Sequence, residues 1–380
     1  MSSDWRTVEL SDIADLSMGE TLLSKNLTGD GIPVFSANTD KGPWGYTSNN
    51  RRRLRRGDIV IGARGSIGFP RRPNFDAFTC TQTTIAVQPD RAVVDSEYLH
   101  HALCAADILG IASQQAVPML TIGALSPLEI ALPKLEDQRR IAEVLRSVDE
   151  AVAAQSALCS HLRQVADDLA DELFAREIAD CDGDLFAYGD ACETVQVGIV
   201  VKPASYYVDD GGVPALRSTN IKRNAIDYSA PVQLSHDGHE INRKSALRAG
   251  DVVTIRTGEP GKTAVIADDA PSPLNCIDII FSRPKPVLRP YFAAYFINSN
   301  TARLQIAAMQ GGLAQQHFNV GEMKKLKMPL PSLTRQDRII EVLDAAWQSV
   351  RIEEAQLATL KSTKTALMSA LLSGQIRVPA

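Results

Sequence analysis

One passage occurs twice in this chain, and that repetition limits the fold more than any other feature. Leu132-Pro133-Lys134-Leu135-Glu136-Asp137-Gln138-Arg139-Arg140-Ile141-Ala142-Glu143-Val144-Leu145 returns, 198 positions on, as Leu330-Pro331-Ser332-Leu333-Thr334-Arg335-Gln336-Asp337-Arg338-Ile339-Ile340-Glu341-Val342-Leu343. Upstream, Gly57-Asp58-Ile59-Val60-Ile61-Gly62-Ala63-Arg64-Gly65-Ser66-Ile67-Gly68 matches Gly250-Asp251-Val252-Val253-Thr254-Ile255-Arg256-Thr257-Gly258-Glu259-Pro260-Gly261 at an offset of 193. Tyr98-Leu99 and Tyr291-Phe292 share that offset. A looser pair, Gly31-Ile32-Pro33-Val34 and Gly212-Val213-Pro214-Ala215, is followed by an asparagine in each half, Asn38 and Asn220. Solenoid repeats have periods of about 20–50 residues. A period near 195 residues implies two homologous domains instead.

After each Leu-Pro-x-Leu, apolar residues recur at alternating spacings of four and three. Ile141, Leu145, Val148, Val152, Cys159, Leu162, Ala166, Leu169 and Leu173 form one stripe, interrupted by Gln155. Ile339, Leu343, Ala346, Val350, Leu357, Leu360, Leu367 and Leu371 form the other, with Glu353 and Lys364 as polar interruptions facing Ala166 and Gln155. A stripe kept up over about four heptads marks a coiled coil. It is too long and regular for a face that merely covers its own domain. Pro133 and Pro331 precede the helices, Thr334 is a candidate cap, and Gly183 and Gly374 stand where they should stop. About forty helical residues make a rod of ~60 Å.

The first helix delivers the chain to the second domain, where the second helix begins. Equivalent halves related by a pseudo-two-fold axis require antiparallel helices with one domain at each end. The expected fold class is α+β: two homologous domains joined by two long antiparallel α-helices acting as a ruler. The segments are 1–133, 134–182, 183–331 and 332–380. Within the domains, Ile59-Val60-Ile61, Thr84-Ile85-Ala86-Val87, Val252-Val253-Thr254-Ile255 and Ile277-Asp278-Ile279-Ile280-Phe281 are expected strands.

A charge of −5 seems to oppose nucleic-acid binding, but its distribution decides the matter. Residues 134–182 carry 6 basic and 12 acidic side chains, whereas 183–331 carry 16 and 14. Acidity is thus concentrated on the first helix, and the domains are near neutral with local basic clusters. A composition 44% hydrophobic and 22% charged excludes wholesale disorder. No apolar run approaches the ~18–20 residues of a membrane span, and Met1-Ser2-Ser3-Asp4-Trp5-Arg6 lacks a signal-peptide pattern. A cytoplasmic location is expected.

Motifs for catalysis are missing. There is no G-x-x-x-x-G-K-[ST] loop, no G-x-G-x-x-G fingerprint, no Asn/Asp-Pro-Pro-aromatic tetrapeptide and no nuclease carboxylate cluster. Six scattered cysteines read as small buried residues, and His236 and His239 as surface histidines, so no metal site is expected. The expectation is a non-enzyme with no cofactor of its own. One alternative class is a coiled-coil scaffold that binds protein only.

The residues suited to DNA lie in loops. Arg51, Arg52, Arg53, Arg55 and Arg56, with Arg71 and Arg72, form the densest basic cluster, either a phosphate-gripping patch or a solvated loop. Arg64 and Arg256 sit at strand-to-turn junctions, where a guanidinium suits a guanine edge. Asn38 lies in one polar loop and Arg217, Ser218, Asn220, Lys222 and Arg223 in its counterpart, with Asn suited to adenine. Lys262 follows the second glycine turn, and Gln315 and Gln316 close the second domain. Equivalent loops diverge while framework motifs persist, as expected if each domain reads a different sequence.

The doubled Gln-x-x-Ile-x-x-x-Leu helix opening resembles the conserved regions of Type I restriction–modification specificity subunits. So do the Gly-Asp-(apolar)-Gly-x-x-Gly motifs and the closing Leu371-Leu372-Ser373-Gly374-Gln375-Ile376-Arg377-Val378. The resemblance covers essentially the whole chain. It implies two target-recognition domains that read a bipartite double-stranded DNA target with a fixed spacer. It also implies helices that dock two methyltransferase (modification) subunits, with a restriction/translocase subunit as a further partner. S-adenosylmethionine, ATP and Mg would belong to those partners, and adenine-N6 methylation to the assembled complex.

Overall fold

The structure, a computed structural model, describes residues 5–37, 42–48, 53–112, 118–181, 184–309 and 317–378. The chain divides into two compact units: Met1–Gln155 with Gln356–Ala380, and Ser156–Ala355.

In the first unit, one antiparallel sheet has the strand order Ala14–Met18, Thr84–Pro89, Ile59–Gly62, Pro70–Arg71. A second sheet runs Gly45–Thr47, Ile32–Phe35, Ala77–Cys80, Leu54–Arg55, and its Val34↔Thr79 and Phe35↔Cys80 pairing is parallel. Strand Ile59–Gly62 is buried on both faces, which is why it reads as an unbroken apolar run. Ile59 and Ile61 face a core with Ile85, Val87, Tyr98, Leu99 and Leu103, the last three from helix Ser96–Ala105. Val60 faces the other way, toward Phe35, Leu54 and Phe78.

The second unit repeats this plan. Its antiparallel sheet runs Cys192–Val197, Ile279–Pro284, Val252–Ile255, Thr263–Val265, and its second sheet again contains one parallel pairing, Ala215↔Asn275 and Leu216↔Cys276. Val252 and Val253 split between two cores as Ile59 and Val60 do. The strand expected from Ile277 begins at Ile279, because Asp278 takes a left-handed φ of 50° that an extended strand cannot hold.

Two long helices, Leu135–Asp180 and Leu333–Leu372, complete the fold. Inside the first unit Leu371 shares a core with Ile141, Ala142 and Leu145, and the Lys364 ammonium pairs with Asp149 rather than standing opposite Gln155. Inside the second, Ile339, Leu343, Trp347 and Val350 share a core with Ala166, Ala170 and Phe174. There Arg335 reaches Glu177 at 2.7 Å and Arg163 reaches Glu354 at 2.7 Å. In each unit rising numbers on one helix meet falling numbers on the other, so the pairing is antiparallel as expected. Gly374, with φ 73°, follows the end of the second helix, where Ile376 N–H closes on Ala370 O at 3.2 Å. Gly183 lies outside the described residues.

Candidate nucleic-acid interface

The Gly-Asp motif is a backbone clamp. Gly57 (φ 93°) and Gly250 (φ 81°) make the turn into the central strand. The buried Asp58 and Asp251 carboxylates accept from the N–H of Arg55 and Arg248, each at 2.8 Å. Arg91 pairs with Asp58 at 3.1 Å, and Arg283 grips Asp251 with two bonds of 2.8 Å.

The Gly-x-x-Gly turns are equally alike. Gly68 N–H reaches Gly62 O at 3.0 Å, and Gly261 N–H reaches Ile255 O at 2.9 Å. A Cβ on Gly62 would lie 1.8 Å from Ser66 O, so the first domain's turn passes closer to its strand than any side chain there allows, whereas the second domain closes the same bond on Ile255. Beyond each turn, Leu120 N–H bonds Ala63 O and Phe318 N–H bonds Arg256 O, both at 2.9 Å. The two domains therefore repeat these closing backbone bonds one for one.

This frame gathers several of the loops singled out above onto one edge of the first domain. Thr83 O accepts from Ala63 and Arg64 N–H (2.8 and 3.1 Å), and its hydroxyl meets Ala37 N–H (3.3 Å). Arg71 Nη2 donates to Ser36 O (2.8 Å) and Ala37 O (3.1 Å), tying that loop to its own strand. Arg64 is exposed, its Nε 3.0 Å from Met119 Sδ. In the second domain, Arg256 Nη1 bonds Asp278 at 2.7 Å, and Thr257 Oγ1 lies 3.1 Å from His317 Nδ1, at the corresponding edge.

Other sequence candidates do not join these edges. Arg53 and Arg55 are exposed beside an edge strand, and Arg56 pairs with Asp76 at 3.0 Å. Arg72 turns to Glu97 at 2.8 Å, a carboxylate shared with Arg146 on the long helix. Asn220 is 4% exposed; its Oδ1 accepts Arg217 N–H at 2.9 Å and its Nδ2 donates to Asp227 O at 3.1 Å. An amide spent on its own loop cannot bond an adenine edge, so Asn220 is a loop clamp. Ser218 opens the short turn that this clamp closes.

Arg223 also changes role. Its guanidinium bonds Asp167 and Asn298 O at 2.6 Å each and lies 5.4 Å from the centre of the Trp347 ring. Burial pushes the Asp167 carboxyl up and the Arg223 guanidinium down, each opposed by the other's charge. This half-buried pair ties the domain to the long helices. Lys222 caps Thr219 O at 3.2 Å, and Lys262 pairs with Glu259 at 2.6 Å. Arg223, Lys262 and Arg303 line a cavity of about 420 Å³ together with Glu259 and Asn298. Asn38, Arg51, Arg52, Gln315 and Gln316 lie outside the described residues. His239, expected at the surface, is 8% exposed and 3.1 Å from Asn275 Nδ2.

Reading the sequence gave no role to the repeated glutamine. Gln138 Oε1 accepts Asp95 N–H (2.8 Å) while Nε2 donates to Pro133 O (2.8 Å) and Val93 O (3.2 Å). Gln336 does the same with Arg289 N–H (2.8 Å), Pro331 O (2.9 Å) and Val287 O (2.9 Å). Both are fully buried. Each pins the start of a long helix to the N-terminus of its domain's apolar helix, Ser96–Ala105 or Pro290–Asn298. The signal was present: the same polar residue stands at the same place in both helix openings, three positions before the first apolar residue of each stripe.

Comparison with known proteins agrees with this repeat. The family model for the Type I restriction modification DNA specificity domain matches residues 2–158 and again 203–362. The type I restriction enzyme MjaVIII specificity subunit of Methanocaldococcus jannaschii is 21% identical over 342 residues, spanning 85% of this chain and 77% of that protein. The EcoBI specificity subunit of Escherichia coli is 19% identical over 416 residues, 98% of this chain and 85% of its own length. The crystal structure of the S subunit of a Type I restriction–modification system from M. genitalium has the same fold. Its TM-score is 0.58 at 18% identity, over 97% of this chain and 96% of that one.

Proposed function

The chain belongs to the Type I restriction–modification DNA specificity family, and from that premise we propose that each of its two domains reads one half of a bipartite duplex DNA target. It is the DNA-specificity subunit of such a system, supplying recognition while partner subunits supply chemistry. One observation carries the division of labour. The two domains share their hydrogen-bonded frame, yet the side chains mounted on it differ: Arg64 lies against Met119, whereas Arg256 pairs with Asp278. A common frame with divergent reading residues is what two unlike half-sites require.

Paired methyltransferase subunits are the proposed partners of the long helices, where the first helix carries the chain's acidic surplus and suits a protein surface better than phosphates. S-adenosylmethionine, ATP and Mg are assigned to those partners and to a restriction subunit. No helix among the described residues is long and apolar enough to cross a membrane.

The test is adenine methylation mapped across the genome of the source strain, with and without this gene. Loss of one bipartite N6-methyladenine motif on deletion supports the reading and reveals the target. Survival of every motif points to a scaffold that binds protein alone.

A further inference from the structure

Phe69 is 65% exposed, among the most exposed large apolar side chains described. It follows the glycine turn directly, and Gly68 there packs against Ile108 and Leu109, the hypothetical Cβ lying 3.5 Å from Leu109 N. Leu109 is itself 65% exposed and Ile111 36%. Asp107, which precedes the short helix Ile108–Ile111, is exposed and commits one carboxylate oxygen to capping Gly110 N–H at 2.9 Å. Arg64, at the other end of the same turn, is exposed and makes no ion pair among the described residues, and Arg71 holds the Ser36-Ala37 loop alongside. An aromatic ring thus stands out in water on the same turn as the exposed Arg64, next to the strand whose Arg71 holds the Ser36-Ala37 loop. Isolated exposed apolar residues are common; a ring and two aliphatic residues around one closed turn, beside guanidinium groups, are a surface awaiting a partner.

The repeat indicates which partner. The position after the glycine turn in the second domain is Lys262, paired with Glu259 at 2.6 Å. The backbone bonds that carry the two positions are the same: Gly68 to Gly62, and Gly261 to Ile255. A surface that docked equivalent protein subunits on the two repeats would present the same chemistry twice. Here the frame is kept and the side chain is exchanged, from benzyl to ammonium, as expected of residues that meet unlike half-sites.

Resting on the DNA-reading function above, we propose that Phe69 is a specificity-determining residue that makes apolar contact with a base of the first half-site. DNA offers such a ring two surfaces: the C5-methyl of thymine in the major groove, and the faces of a base step opened by a wedge. Charge complementarity favours DNA over a protein surface, since the exposed Arg64 on the same turn can meet a phosphate beside the ring.

The experiment uses the chain assembled with its modification subunits, on a fluorescent duplex carrying the mapped target. Phe69→Ala should weaken target binding roughly tenfold or more, the range for loss of one stacked base. The salt dependence should stay the same, because no phosphate contact is lost. The melting temperature should not move, since the ring is exposed. Replacing each thymine of the half-site by deoxyuridine, and each adenine by 2-aminopurine, separates the two surfaces. A methyl contact weakens the wild type and spares the variant. A wedge brightens 2-aminopurine in the wild-type complex alone.

Equal affinity and equal base preference in Phe69→Ala overturn the proposal. So does a variant that sheds its modification subunits while keeping its base preference. A wild-type complex that fails to distinguish its target from a scrambled duplex removes the DNA-reading function itself, and this proposal with it.

Discussion

Gln336 provides the sharpest test of how the domains are held to the helices. Its side chain is fully buried, accepting Arg289 N–H at 2.8 Å and donating to Pro331 O and Val287 O at 2.9 Å each. Gln336→Ala removes three hydrogen bonds worth about 1 kcal/mol each net, and it leaves one part-buried donor and two part-buried acceptors without their partner. The expected loss is about 3–5 kcal/mol. For a cooperative unit of about 200 residues that is a fall of roughly 10 °C in Tm. Gln336→Glu keeps the shape and the acceptor but sets a carboxylate against two carbonyls. Burial raises the pKa of such a group in the folded state above its unfolded value. Stability is then restored as pH falls through the folded pKa, and complete below the unfolded value of about 4.3. Urea unfolding followed by circular dichroism, at pH 7 and pH 5, measures both effects. The reasoning is refuted if Gln336→Ala costs less than about 1 kcal/mol, or if Gln336→Glu weakens further as the pH falls.

Burial, then the neighbouring His100, lowers the pKa of His101 to about 4; Asp149 opposes the shift, and Lys364 and Arg72 add to it. Above the unfolded value of 6.5 neither state binds this proton. Below it only the unfolded state does, so stability should fall by up to about 2 kcal/mol between pH 7.5 and 5; a His101→Leu chain that keeps the same slope would refute this. Arg64→Ala should cost about 1–3 kcal/mol of target binding and relax preference at one base pair, read by anisotropy on single-substitution duplexes. Asn220→Ala should do the reverse, lowering the urea midpoint by about 2 kcal/mol in stability while base preference stays unchanged.

The two halves were legible in the sequence because the repeated residues are the ones that dictate backbone shape. Gly57, Gly62 and Gly68 recur as Gly250, Ile255 and Gly261, and even where one glycine is exchanged the closing bond survives within 0.1 Å (3.0 and 2.9 Å). The antiparallel helices followed from symmetry for the same reason. What stayed hidden was set by partners far away in the chain. Nothing near Arg223 announces Asp167 or Trp347, which turn a surface cation into a half-buried bracket. Phe174 and Trp347 fell outside the heptad stripes, because helices that also cover a domain need a wider apolar face than a two-stranded seam.

That contrast bears on where specificity can vary. Arg217, Asn220 and Arg223 belong to one polar stretch of sequence, yet Asn220 and Arg223 are committed to clamping the loop and anchoring the domain. Changing them alters the frame before it alters recognition. Arg64 and Phe69 are exposed on a turn closed by the backbone bond from Gly68 N–H to Gly62 O, so their side chains can be exchanged at little cost to the fold. The repeat displays such an exchange, with Arg256 and Lys262 at the equivalent positions. Divergence between half-sites should therefore accumulate on the rim of the glycine turn and not in the asparagine–arginine loop, although the loop is the more DNA-like of the two in composition.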